Sequence, residues 1–358
     1  MQQIFHGVFN HYPASHAPFM HAQYDAWQET KPLHNLRILH HVPVVNNTLL
    51  KIACLIAAGA EVTVTNPDFM QACPKALATL AAEKVRFVTD LRRLKHETFD
   101  VFLDCGAAVY QAIGAPRIGA IELTGTGDQR YRELSPAFPV ISIDRSLTKQ
   151  LETVFGMAAS AARALGKLTG KPPAYRHWLV FGFGKIGRGL AYLCMKNGIA
   201  VTIVDPLDTA RLQAIQLGVQ AVDALDIHAV KTALEAADIV ITATGGADAL
   251  KAYDKDWFTG KTLANLGILD EFGPRFSLDE VLNAKQPINF ALDDPTPIDF
   301  IDPEMYVHND AATLLLDEDL DNGIHNLPTS YDQEIIRRWC EYHGGSRDEI
   351  ERWFMPYF

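Results

Sequence analysis

Runs of positive charge are missing from this 358-residue chain. Lysine and arginine number 32 against 43 aspartates and glutamates, a net charge of −11, and the basic residues nowhere cluster. Binding to nucleic acid needs clustered Lys and Arg against the phosphates, so the charge argues against that partner. Cysteine is scarce. Cys54, Cys73, Cys105, Cys194 and Cys340 are scattered and form no C-x-x-C pair. An odd, dispersed set fits buried thiols in a reducing cytoplasm rather than a disulfide framework. No apolar run reaches the roughly 20 residues that a membrane span takes. The opening MQQIFHGVFNHYPASH lacks the basic-then-apolar order of a secretion signal. The expectation is a cytoplasmic protein with no membrane and no nucleic-acid partner.

What is present is alternation. Hydrophobic residues make up 48% and charged residues 21%, the balance of an ordinary globular chain. Residues 1–35 read as an irregular segment. His6, His11, His16 and His21 recur every five residues, which matches neither a helix face nor a strand face. They are expected at a surface or interface, and no metal site is expected. From Leu36 onward, short apolar strands (LRILHH, AEVTVT, VRFVT, FDVFLD, GAIELT, FPVISI) alternate with helical stretches. That pattern predicts a parallel sheet covered on both faces. A long helical stretch, SLTKQLETVFGMAASAARALGKLTG, leads through TGKPPAYRH into a second alternating region that starts at Trp178. The fold class is therefore α/β, with two doubly wound parallel-sheet domains, the second of Rossmann type. The expected domains are residues 1–150, residues 151–315, and a C-terminal segment, 316–358, packing back on the first. After about residue 285 the text reads as acidic loop, followed by a last helix in SYDQEIIRRWCEYHG.

The stretch WLVFGFGKIGRGLAYLCMKNGIAVTIVDP carries the clearest chemistry. Gly182, Gly184 and Gly187 form G-x-G-x-x-G between an apolar strand and a helix. The first glycine makes the tight turn, the second lets backbone approach a pyrophosphate, and the third lets helix and strand pack closely. The helix start then offers free N–H groups to the phosphates, so Phe183, Lys185 and Ile186 join the candidate loop. Asp205 ends the next strand, 18 residues beyond Gly187. A carboxylate there accepts from ribose hydroxyls and repels the extra phosphate of NADP, which makes NAD the expected cofactor. Thr242, Ala243, Thr244 and Gly245 end one further strand, and Asn265 and Gly267 another, so all six are expected around the cofactor. For Asn265 the competing reading is a turn cap.

The order of parts, together with FPVISIDRSLTKQ, VFGFGKIGRGLAYLCMKNGIAVTIVDP, ADIVITATGG and LANLG, resembles the S-adenosylhomocysteine hydrolase family. The likeness spans about residues 36–270. The resemblance implies tightly held NAD and oxidation of a ribose 3′-hydroxyl. It also implies a base at the neighbouring 4′ carbon, elimination of a thiol, addition of water and reduction of the ketone. On the same ground Lys149 matches the family lysine beside the 3′-hydroxyl, and its first-turn placement opposes the helix dipole. His40 or His41 matches a substrate histidine, Glu122 a sugar-binding glutamate and Asp104 a catalytic aspartate.

Other family parts are replaced. No Asp-Asn pair follows Lys149, and Glu152 substitutes for its acid only with a shifted helix register. Ile268 stands where the family has histidine after N-x-G, and Val154–Ala158 contains no cysteine. His325, in NGIHNLP, is a late histidine and a candidate stand-in. Three readings stay open. The first is oxidation of a secondary, ribose-type hydroxyl on a nucleoside-like small molecule, with or without elimination of a thioether. The second is a plain dehydrogenase for a hydroxy acid or amino acid, with Arg130 or Arg145 holding the carboxylate. The third is a non-catalytic NAD-binding regulator. The resemblance also implies a homo-oligomer, with the aromatic tail WFMPYF as a candidate contact.

Overall fold

The computed structural model describes residues 3–170, 177–317 and 319–355. Among these the strands are β1 (Arg37–His41), β2 (Glu61–Thr65), β3 (Arg86–Phe87), β4 (Val101–Asp104), β5 (Gly119–Glu122), β6 (Pro139–Ser142), β7 (His177–Phe181), β8 (Ala200–Asp205), β9 (Gln220–Asp223), β10 (Ile239–Thr242), β11 (Thr262–Asn265) and β12 (Gly323–Asn326). They build two separate sheets in two compact units. One unit holds Met1–Lys149 and Ile298–Arg347, and the other holds Gln150–Pro297 and Asp348–Phe358.

The first unit contains a seven-stranded sheet in the order β12-β6-β5-β4-β1-β2-β3, with every neighbour parallel. Val101–Asp104 and Gly119–Glu122 are buried along their whole length. Such strands need helices on both faces, which is why the apolar runs are nearly continuous rather than alternating. The strand order reverses between β1 and β4, and a sheet of this kind takes its ligand at the strand C-termini beside that point. Those termini carry His40 and His41 on β1 and Asp104 on β4.

The second unit contains a five-stranded parallel sheet, β11-β10-β7-β8-β9, with its reversal between β7 and β10. The glycine loop follows β7 and the Thr242–Gly245 turn follows β10, so both lie at the switch point. Leu179, Phe181, Val204, Val240, Leu250, Phe272 and Phe276 belong to one buried core beneath these turns.

The structure departs from the sequence reading in four places. Residues 1–35 are not irregular: helices cover Gln3–His11 and Pro18–Thr30. The second helix buries Phe19, Gln23 and Trp27 at i, i+4 and i+8, a face that the surrounding His, Pro and Gln disguise. The acidic stretch expected as loop holds a 20-residue helix, Ile298–Asp317, despite Pro303 within it. Its buried Met305, His308, Ala312 and Leu315 repeat at helical spacing. That helix belongs to the first unit, where the expected boundary placed everything to residue 315 in the second. In turn Asp348–Phe358 belongs to the second unit, where the whole of 316–358 was expected with the first. The linking stretch 171–176 and the last residues of the tail, 356–358, lie outside the described residues.

The long helical stretch also has an interior break. Leu147–Gln150 is α-helical, Leu151–Gly156 is a π-helical turn, and Met157–Thr169 is α-helical again. Within the second unit the π turn receives the helix Lys185–Lys196 so closely that a Cβ on Gly189 would lie 1.7 Å from the Val154 carbonyl oxygen.

Candidate functional site

In the second unit, each glycine of the loop does separate work. Gly182 has φ +98°, and a Cβ there would meet the Ala243 carbonyl oxygen at 2.4 Å. The turn after β7 and the turn after β10 therefore touch backbone to backbone. A Cβ on Gly187 would lie 2.0 Å from the Gly182 carbonyl oxygen, so the helix enters against the loop itself. Gly184 faces nothing within 4 Å and caps the helix that begins at Lys185. A tight turn, a close packing point and one bare position at a helix N-terminus fit a dinucleotide pyrophosphate.

Asp205 ends β8 and is buried. Its Oδ2 accepts the Phe183 N–H at 2.8 Å and its Oδ1 accepts the Leu207 N–H at 2.9 Å. Each carboxylate oxygen has a second lone pair for a hydroxyl. Arg211 lies close by, but it donates to the Asp205 carbonyl and pairs with Asp208 and Asp223. The charge of that arginine is thereby balanced by two carboxylates.

Asn265 was expected on the nicotinamide side. Instead its fully buried amide is committed to the fold. Oδ1 accepts from the Gly267 N–H and the Thr242 hydroxyl, and Nδ2 donates to the carbonyls of Gly267, Leu269 and Lys285. Glu271, which the sequence did not single out, closes the turn after β10: its carboxylate accepts the N–H groups of Thr244 at 2.8 Å and Gly245 at 2.7 Å. Burial pushes its carboxyl above the usual range. A side chain on Gly267 would strike Glu271, with Cβ 1.9 Å from Oε1.

In the first unit the two histidines separate, because neighbours on a strand point to opposite faces. His41 places its Nδ1 2.8 Å from the Thr65 hydroxyl. Burial lowers its pKa, and the Asp104 and Asp68 charges oppose that shift. His40 turns into the packed side beside Lys51 and His308, and neither ring nitrogen has a hydrogen-bond partner among the described residues. Burial first, then the Lys51 and His308 charges, holds it well below the usual histidine range. His41 is thus the histidine whose charge interacts with Asp104.

Asp104 and Glu122 end neighbouring strands in register. Asp104 accepts from the N–H groups of Cys105 and Val109 and from the Tyr131 hydroxyl at 2.8 Å. Glu122 accepts from the N–H groups of Gly106, Ala107 and Thr124 and from the Thr124 hydroxyl. Burial pushes Glu122 up to about 7, with the Asp104 charge adding to it. Asp104 is raised too, by burial, with His41 pulling the other way. Both carboxylates shape the loops at the strand ends, and Glu122 is as much a loop clamp as a candidate ligand group.

Lys149 sits on the short helix after β6. Asp332 caps that helix through the N–H groups of Leu147 and Thr148 and the Thr148 hydroxyl, and Ser146 Oγ accepts the Lys149 N–H. The lysine Nζ lies 3.0 Å from Glu304 Oε1, on the unforeseen helix Ile298–Asp317. Arg145 approaches Asp128 at 3.8 Å, and Arg130 donates to the Gly106 carbonyl. His325 lies on the edge strand β12 with Nε2 2.7 Å from the Asp321 carbonyl. Among the described residues, no group of three His, Cys, Asp or Glu is placed to hold a metal ion, and no helix is long and apolar enough to cross a membrane.

No family model matches the chain. Curated relatives do match over most of its length. The S-inosyl-L-homocysteine hydrolase of Methanopyrus kandleri is 24% identical, over 94% of this chain and 90% of its own. The adenosylhomocysteinase of Archaeoglobus fulgidus is 23% identical over 91% of each, and that of Thermococcus kodakarensis is 28% identical over 68% of this chain and 62% of its own. Over most of its length the chain is thus similar, at low identity, to adenosylhomocysteinase-type hydrolases. A solved structure of a dipicolinate synthase polypeptide from Bacillus halodurans shares the fold: TM-score 0.52 and 12% identity, covering 80% of this chain and all of that one.

Set beside adenosylhomocysteinases, the replaced parts now have places. Ile268, expected at the position of the family histidine, is an exposed apolar side chain, 58% accessible, and so is its neighbour Leu269, at 48%. Glu152 accepts from the Thr296 hydroxyl at 3.0 Å within the second unit. The tail residues Trp353 and Phe354 are buried on their own unit. Trp353 lies against Tyr192 and Phe354 against Phe155, while Arg188 donates to the Phe354 carbonyl. Those two residues do not form the exposed contact expected of WFMPYF.

Proposed function

We propose that this protein oxidises a secondary, ribose-type hydroxyl of a nucleoside-like substrate, with NAD held by the second unit and kept between turnovers. The observation that carries this reading is the placement of Lys149. A lysine on a capped helix after β6 stands with His41, Asp104 and Glu122, all at the C-terminal ends of one parallel sheet. That edge is where such sheets take ligands.

The second unit supports NAD through the bare position at Gly184, the N–H groups of the Lys185–Lys196 helix start and the carboxylate of Asp205. Gly182, Phe183, Ile186 and Gly187 shape that loop, with Thr242, Ala243, Thr244 and Gly245 on the adjoining turn. Bound NAD supplies a hydride acceptor. The rest belongs to the chain. Lys149 takes the hydroxyl proton as the carbon is oxidised and returns it on reduction. Asp104 and Glu122 hold the strand-end loops, with their remaining lone pairs available to sugar hydroxyls. His41, whose pKa burial lowers against the pull of the Asp104 charge, is a second proton carrier.

The relatives' names denote hydrolysis of a nucleosyl-homocysteine thioether, and a nucleoside thioether is the first substrate to try. Elimination and water addition need acid–base groups beyond the redox set. With Ile268 in place of the family histidine, the reading is centred on the redox half.

The test is direct. Purified protein is denatured and any released nucleotide identified by mass. Holo-protein is then mixed with nucleosides, nucleoside thioethers, hydroxy acids and amino acids while reduced nicotinamide absorbance is followed. Reduction by a nucleoside, slowed at least tenfold in Lys149→Ala, supports the proposal. Free exchange of NAD with turnover of a hydroxy acid or amino acid overturns it.

A further inference from the structure

Lys149 meets a carboxylate that its own helix does not carry. The acid comes from 155 residues further along the chain. Glu304 Oε1 lies 3.0 Å from Lys149 Nζ, and the two side chains are 2% and 15% exposed. The pair is held from both ends. Lys149 is fixed by the Asp332-capped helix. Glu304 is fixed by Ile298–Asp317, whose Asp302 accepts the Phe19 and Met20 N–H groups and whose Asn309 accepts from Lys51 at 2.8 Å.

We propose that Glu304, from a different helix, is a positioning residue that raises the proton affinity of Lys149. This rests on the reading above only for its consequence in catalysis. A hydroxyl proton passing to a neutral lysine amine breaks an O–H bond, forms an N–H bond and leaves an ammonium. A carboxylate at 3.0 Å stabilises that ammonium, and it orients the nitrogen through a charge-assisted hydrogen bond.

Titratable groups from several elements surround the pair. From helix Thr48–Ala57, Lys51 faces Glu304, and burial holds its amine well below the usual lysine range. One turn along Glu304's own helix, His308 is likewise held well below the usual histidine range by burial and by Lys51 and Lys149. His40 on β1 is also held well below the usual histidine range, by burial first and then by the Lys51, His308 and His41 charges. Cys105, after β4, is pushed far up by burial, with Glu122, Asp104 and Glu304 adding and Lys149 opposing. Glu122 on β5 is pushed up to about 7, and Asp104 on β4 is also raised.

The test follows the lysine itself. Full-length protein carrying isotope-labelled lysine is titrated by NMR, with the Lys149 signal assigned through Lys149→Gln. In Glu304→Gln the Lys149 titration moves down by about 1–3 pH units, the usual effect of losing a close opposite charge. Glu304→Asp, which keeps the charge, recovers most of the shift. A thermal melt of each variant verifies that it is folded. The pH limb for reduction of bound NAD by substrate moves down by the same amount in Glu304→Gln. An unmoved Lys149 titration in folded Glu304→Gln overturns the assignment. So does a moved titration with an unmoved pH limb. If Lys149 shifts as expected but no substrate reduces the cofactor in the unaltered protein, the functional reading fails while Glu304 keeps its role.

Discussion

A methyl group on Gly187 would sit 2.0 Å from the carbonyl oxygen of Gly182. Gly184, between them, faces no protein atom within 4 Å. The same substitution therefore separates folding from binding. Gly187→Ala forces the helix off the loop and costs about 1–3 kcal/mol, seen as a lower Tm. Gly184→Ala leaves the Tm unchanged and weakens NAD binding, because its methyl group points where the phosphates approach. Thermal melts and calorimetric titration with NAD check both. A Gly184→Ala protein that binds NAD normally would remove the phosphates from this loop.

Asp205 holds the loop from the other side through Phe183 and Leu207. Asp205→Ala frees two N–H groups from a charged acceptor, a loss of about 1.5–3 kcal/mol for each such bond at most. NAD affinity is expected to fall at least tenfold. Asp205→Asn removes the repulsion toward a 2′-phosphate, and the ratio of NAD to NADP affinity should fall with it. Paired binding curves read that ratio.

Asp302 is fully buried, and burial pushes its carboxyl up to about 8 against the pull of the Met20 and Phe19 N–H groups. A group raised on folding contributes stability that is whole below the ordinary aspartate range. That contribution is lost as pH rises through about 8. The first unit should therefore lose stability across the neutral range, by up to about 1.4 kcal/mol per pH unit for one proton. In Asp302→Asn the slope flattens, whatever the absolute stability of the variant. Urea unfolding at a series of pH values measures it. Glu122, pushed up to about 7, acts in the same direction and survives in the variant as the remaining slope.

Lys51 works with the opposite sign. It is fully buried against Asn309, and its amine is held well below the usual range, so folding releases its proton. Its contribution is whole above the ordinary lysine range and is lost as pH falls toward the folded value. Lys51→Met keeps the hydrocarbon volume and should make acid unfolding shallower. It also leaves the Asn309 oxygen short of a donor, at a cost of about 1–3 kcal/mol at neutral pH. An unchanged acid limb would mean that Lys51 is already charged in the fold.

How far the text of the chain reveals these features depends on how local they are. The glycine loop was legible because its causes lie within a few residues: a strand, three glycines and a helix start. The alternating strands were legible because burial on both faces leaves continuous apolar runs, although β9 and β12, short and only partly buried, went unread. The Lys149–Glu304 pair was not legible. Nothing near Lys149 announces an acid so distant in sequence, and Pro303 hides the helix that carries it. Choosing between His40 and His41 needed the strand's register against its neighbours. The commitment of Asn265 to three carbonyls needed the loop path as far as Lys285.

The division of the chain has a further consequence. The first unit begins with the first residue and is complete only with Arg347, because Gln150–Pro297 belongs to the other unit. Its sheet takes an edge strand, β12, and its interior takes the helix bearing Glu304 and His308 from the far side of that insertion. A ribosome that has made the first 149 residues has made six of the seven strands but not the helix that brings Glu304 to Lys149. The inserted unit, in turn, receives Trp353 and Phe354 only at the end. A truncation near residue 297 would leave both units without segments that belong to them. A unit still waiting for a distant segment exposes apolar surface, the condition under which nascent chains aggregate or need chaperones.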